Sequence, residues 1–140
     1  MKEKILVSAC LLGAPCRYDG KSKPVDKVIE LEKKYTLIPF CPEVEGGLST
    51  PRLPCEIRDS KVIRSDGEDC THPYTLGAEK ALDLCKKYNI KKAILKEKSP
   101  SCGKSLIYDG SFCGKLKKGQ GITAKFLSEN NVTVFSESDF

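Results

Sequence analysis

Three short apolar runs, each ending at or shortly before a cysteine and separated by helical segments, constrain this chain more than any other feature. Lys4-Ile5-Leu6-Val7-Ser8-Ala9-Cys10 is too compact for a helix and opens into the loop Leu11 to Gly20, so it reads as a buried first strand. Thr36-Leu37-Ile38-Pro39-Phe40-Cys41 is a second such run, although Pro39 lacks a backbone N–H and argues against a central place in a sheet. Lys92-Ala93-Ile94-Leu95-Lys96 is a third, followed by a loop from Glu97 to Gly103 that carries Cys102.

The segments between have helical period. After Pro24, Val25, Val28, Ile29 and Leu31 define a first helix to about Lys34, with Asp26 early and Lys33-Lys34 late to suit the macrodipole. From Pro73 to Tyr88, Leu76, Ala78, Ala81, Leu82, Leu84, Cys85 and Tyr88 form an apolar face. Pro42 to Asp69 is irregular apart from a hairpin, Cys55-Glu56-Ile57-Arg58 and Lys61-Val62-Ile63-Arg64 joined by Asp59-Ser60. The glycine-rich stretch from Tyr108 to Gly121 is either an active-site flap or a structureless surface loop. A helix from Ile122 to about Glu129 and a last strand, Val132-Thr133-Val134-Phe135-Ser136, complete the chain. Such alternation predicts a single α/β domain over residues 1–140, a small open, mostly parallel sheet with helices on both faces in a Rossmann-like three-layer arrangement, plus a short hairpin insertion.

In 140 residues there are eight cysteines, 24 Lys+Arg and 19 Asp+Glu. The length suffices for an ordinary core without disulfides, and the beginning Met1-Lys2-Glu3-Lys4 lacks a signal-peptide pattern, so reduced thiols or metal ligands in a cytoplasmic protein are expected. No apolar run approaches the roughly 20 residues that cross a bilayer. The formal charge of +5 gathers in Lys86 to Lys98 and Lys104 to Lys125, but no aromatics interleave with these lysines, so they are read as solvated and direct nucleic-acid binding is not supported.

Ligands of an open parallel sheet bind outside the carboxyl ends of its strands, where Cys10, Cys41 and Cys102 fall. Thiolates gathered there suit iron–sulfur iron, zinc or copper(I), although small cysteines also pack at strand ends without chemistry, and no Cys-x-x-Cys spacing is present. Cys16 can close the set as a fourth thiolate, as in structural zinc or an electron-transfer cluster, or leave it open. Cys85 is assigned to the core, and Cys55, Cys70 and Cys113 are taken as incidental. Glu43 and Glu45 beside Cys41, and Ser99 and Ser101 beside Cys102, are candidates for a general base and a hydrogen-bond donor. His72, the only histidine, is read as solvated or capping.

Three groups of residues together resemble the DUF523 family, which includes the thiouracil desulfurases. The first is Ser8-Ala9-Cys10-Leu11-Leu12-Gly13 with Cys16-Arg17-Tyr18-Asp19-Gly20. The second is Cys41-Pro42-Glu43-Val44-Glu45-Gly46-Gly47-Leu48 with Thr50-Pro51-Arg52. The third is Lys98-Ser99-Pro100-Ser101-Cys102-Gly103 with Ile107-Tyr108-Asp109-Gly110. The resemblance implies a [4Fe-4S] cluster held by Cys10, Cys41 and Cys102, with one iron free to take the sulfur of a small thiolated nucleobase such as 2-thiouracil. It further implies Glu43 as the base that activates water and Ser99 as a substrate-orienting group, Glu45 and Ser101 being near enough to substitute as substrate-binding residues. Cluster-assembly machinery is the expected protein partner. The competing expectation is a non-catalytic zinc or redox-sensing module completed by Cys16. A thiol oxidoreductase using Cys10 and Cys16 ranks last.

Overall fold

The computed structural model describes residues 2–140. In chain order the elements are β1 (Lys4–Ser8), a 3-10 turn (Ala9–Leu12), α1 (Asp26–Ile29) continued by a 3-10 turn (Glu30–Lys33), β2 (Thr36–Phe40), α2 (Pro42–Glu45), β3 (Cys55–Arg58) and β4 (Lys61–Arg64). These are followed by α3 (Thr71–Tyr88), β5 (Lys92–Leu95), β6 (Leu106–Tyr108), β7 (Leu116–Lys118), α4 (Ile122–Glu129), β8 (Thr133–Ser136) and a final 3-10 turn (Glu137–Asp139).

Four strands make a parallel sheet in the order β2-β1-β5-β8. Pro39 lies in β2, an edge strand, where its missing N–H leaves no gap in a central ladder. Alternate residues of β1 face opposite layers, as the strand period of two requires. Leu6 joins Ala81, Leu82, Cys85, Ala124 and Leu127 under α3 and α4. Ile5 and Val7 pack with Val28 of α1 and Leu11 on the other side. The α/β class, the mostly parallel sheet and the helices on both faces are therefore as expected from the sequence.

Three local features differ from expectation. Residues 42–45 are helical, with Pro42 at the first turn, where its fixed φ favours helix. The glycine-rich stretch is not structureless, because β7 within it pairs antiparallel with β6, which ends at Tyr108. The first run leaves the sheet at Ser8, so Cys10 sits on a 3-10 turn that Gly13 ends at φ +102°. Among the described residues no helix is long and apolar enough to cross a membrane.

Candidate functional site

From β1 the chain crosses by α1 on one face of the sheet to β2, whereas from β5 it crosses by α4 on the other face to β8. Adjacent strands whose crossovers part in this way leave a crevice beyond their carboxyl ends. A cavity of about 350 Å³ opens there, lined by Cys10, Cys16, Cys41 and Cys102 among others. Cys10 arrives on the turn after β1, Cys41 directly after β2, and Cys102 in the loop after β5. Cys85 is buried among the core residues under α3, as expected, and His72 is exposed on the first turn of that helix.

Burial pushes the Cys102 thiol up to about 12, against which the Ser8 and Ser101 hydroxyls act as hydrogen-bond partners. The neighbouring Cys16 thiol, together with burial, pushes Cys41 far above its ordinary value. Cys16 is itself raised, chiefly by Cys10. These groups stand as neutral thiols until a cationic centre draws off their protons. The donor set is all sulfur and thus soft. Among the described residues no three Cys, His, Asp or Glu side chains are placed to share one metal ion. Tetrahedral zinc, with bonds near 2.3 Å, needs sulfurs about 3.8 Å apart. Thiolates also suit a multi-iron group, in which each takes its own iron.

Glu43, on the first turn of α2, lines the same cavity. Its Oε2 accepts the hydroxyl of Tyr74 at 2.6 Å and lies 3.3 Å from the Arg52 guanidinium. Tyr74 is buried on α3, and burial and the Glu43 charge push its own hydroxyl far up, so it stays protonated and donates to Glu43. Arg52 also donates to the Cys16 carbonyl at 3.1 Å and to the Ser49 carbonyl at 3.0 Å, tying the Cys16 loop to the carboxylate. A backbone contact without side chains makes this meeting possible. A Cβ on Gly77 would lie 2.0 Å from the Pro42 carbonyl oxygen, and one on Gly46 would lie 2.1 Å from that of Pro73. The helices α2 and α3 thus touch main chain to main chain, with Tyr74 one turn before Gly77 on the same face.

Of the two serines, Ser99 lines the cavity, and its Oγ accepts the backbone N–H groups of Ser101 and Cys102, both at 3.0 Å. Its own O–H remains available to a ligand. Ser101 is fully buried and pairs with Thr123 Oγ1 at 2.8 Å, so it supports the wall from behind instead of touching a ligand. Glu45 is exposed and away from the cavity, because two residues along a helix turn a side chain by about 200°. Neither Glu45 nor Ser101 therefore occupies the substrate-facing position expected for it.

Sequence reasoning also passed over several residues that line the cavity. Cys55, taken as incidental, opens β3 at its edge, and burial pushes its thiol up to about 12. Glu56, Tyr108 and Phe112 complete that wall. Tyr108 had a local signal, through the segment Ile107-Tyr108-Asp109-Gly110, as did Arg52 behind Glu43, through Thr50-Pro51-Arg52; Cys55, Glu56 and Phe112 reach the cavity by the packing of β3 against the loop after β6, which no short motif encodes.

An open parallel sheet that gathers soft sulfur donors and a clamped carboxylate at its crossover crevice has the makings of a metal-dependent enzyme site. The model of the 2-thiouracil desulfurase family matches residues 5–139, and the chain belongs to that family. It is 41% identical over 145 residues to the uncharacterized protein YbbK of Bacillus subtilis (strain 168), with 96% of each chain covered. Among solved structures it is similar to the [4Fe-4S]-dependent thiouracil desulfidase TudS, with a TM-score of 0.95 and 47% identity over 99% of this chain and 93% of that one.

Proposed function

We propose that this protein removes sulfur from a small thiolated pyrimidine such as 2-thiouracil, with a [4Fe-4S] cluster held by Cys10, Cys41 and Cys102. The observation that carries the reading is the convergence of these thiols and Glu43 on one cavity at the crossover crevice. When bound, the cluster supplies a Lewis-acidic iron, free of protein thiolate, toward the thiocarbonyl sulfur.

The protein's own groups account for the rest of the reaction. Both polar partners of Glu43 lie on Oε2, which leaves Oε1 to take a proton from the water that attacks the ring carbon. Overall, water replaces sulfur on carbon and hydrogen sulfide leaves, with no net electron transfer. The Ser99 hydroxyl donates a hydrogen bond that orients the substrate. Phe40, Pro54 and Tyr108 give the cavity apolar surface for a flat ring. Cys16 stays outside the ligand set, because a fourth thiolate would close the iron that the substrate needs.

Anaerobic reconstitution followed by iron and sulfide counts and a 2-thiouracil assay tests the reading. About four irons per chain and sulfide release are expected, both lost in Cys10→Ser, Cys41→Ser or Cys102→Ser and retained in Cys16→Ser. Stoichiometric zinc with no iron uptake would replace the desulfurase by the zinc module.

A further inference from the structure

In the wall built from β3, β6 and the loop after it, Glu56 and Phe112 have no part in the chemistry above. Glu56 of β3 is 9% exposed and lines the cavity. Among the described residues it makes no ion pair. Its Oε1 accepts two backbone N–H groups, from Gly110 at 2.9 Å and from Phe112 at 3.1 Å, and Oε2 accepts none. Burying a carboxylate without a cation is costly, and holding a loop by two N–H groups requires only one neutral oxygen. The second oxygen is surplus to the architecture.

Phe112 also lines the cavity, at φ +58°, in the left-handed region that a phenylalanine rarely adopts. Such a conformation persists where its surroundings over-determine it. Here the two N–H groups on Glu56 do so, together with the Arg58 guanidinium, which donates to the Gly110 carbonyl at 2.6 and 3.1 Å. Gly110 cannot be exchanged: its φ is +94°, and a Cβ would lie 2.8 Å from the Ile57 carbonyl oxygen.

We propose that Glu56 and Phe112 form the recognition element for the substrate ring: the second Glu56 oxygen accepts a ring N–H beside the thiocarbonyl, and the Phe112 side chain supports the ring face. The inference rests on the desulfurase reading and specifies its substrate class as planar cyclic thioamides that retain an N–H. A carboxylate only accepts, and in a thiouracil the N–H groups flanking the C=S are the donors it can meet. Offset stacking on Phe112 favours a flat conjugated ring over a saturated one.

Because both backbone bonds fall on Oε1, Glu56→Gln can keep that oxygen and convert only the other position from acceptor to donor. In the cluster-loaded enzyme, Glu56→Gln is expected to raise KM for 2-thiouracil by about tenfold or more, with kcat within about threefold and iron content and thermal midpoint unchanged. Wild type should discriminate against 2-thiouracil methylated at both ring nitrogens, and Glu56→Gln should lose that discrimination. Phe112→Leu, which leaves the carboxylate and both N–H groups in place, should raise KM about fivefold or more even if Glu56→Gln fails to load iron. Unchanged KM in an iron-loaded Glu56→Gln, or in Phe112→Leu, overturns the proposal. A wild-type enzyme that releases no sulfide from 2-thiouracil instead removes the reading beneath it.

Discussion

Glu43 and Tyr74 are 31 residues apart in the chain and 2.6 Å apart in space, and the hydrogen bond between them carries much of the site's geometry. Tyr74→Phe keeps the buried ring and removes only the hydroxyl, freeing Glu43 to rotate. The expected outcome is a fall in kcat of about tenfold with KM and iron content unchanged, read from steady-state kinetics on the loaded enzyme. A purely structural tyrosine would lower the thermal midpoint instead and leave the kcat of the folded fraction unaltered. Glu43 itself was legible, since it follows Cys41 closely. Tyr74 was not, because it lies within an ordinary amphipathic helix. Adjacent candidates also proved separable only in three dimensions: Ser99 faces the cavity whereas Ser101 faces Thr123.

At the scale of elements, the site depends on how closely α2 approaches α3. Gly77→Ala would drive a methyl group into the Pro42 carbonyl, a backbone atom that cannot yield by a rotamer change. Overpacking of this kind costs about 1–3 kcal/mol, so the thermal midpoint should fall by several degrees. Turnover should fall with it as α2 carries Glu43 away from the cavity, and melting curves with a 2-thiouracil assay read both. The four-residue α2 escaped the sequence reading because so short a segment has no period to detect, and a Pro-Glu-Val-Glu stretch among glycines resembles a loop. The β6–β7 pair escaped for a similar reason: three-residue strands separated by Gly110 and Gly114 carry almost no alternation.

Across the whole molecule, the final 3-10 turn braces the cavity from the far end of the chain. Glu137 accepts the Glu97 N–H at 2.7 Å and pairs with Lys96 at 3.1 Å, both of which line the cavity. Asp139 accepts from Lys104 and from the Ser136 N–H, each at 2.8 Å, and these bonds, that of Lys104 foremost, hold its carboxyl below the usual range. A carboxyl depressed in the folded state stabilises above its unfolded pKa, near 3.9, and loses that contribution as pH falls through the folded value. Asp139→Asn should therefore be less stable than wild type at pH 7, by at most about 1 kcal/mol for so solvated a pair, and the gap should narrow as pH falls below the unfolded pKa and through the folded one. Urea titrations over a descending pH series measure it.

The sequence by itself determined the alternation of strands and helices, the edge position suited to Pro39, and the cysteines that follow three parallel strands. All of these are local: side-chain periods of two and 3.6, a missing N–H, a residue at the end of a run. Tertiary structure alone decided that Tyr74 and Arg52 hold Glu43, that Glu45 and Ser101 stand off the cavity, and that Glu56 and Phe112 build its wall. Those meetings follow from crossovers on opposite faces of the sheet and from glycine contacts between helices, which place residues by the path of the backbone and not by their neighbours in the chain.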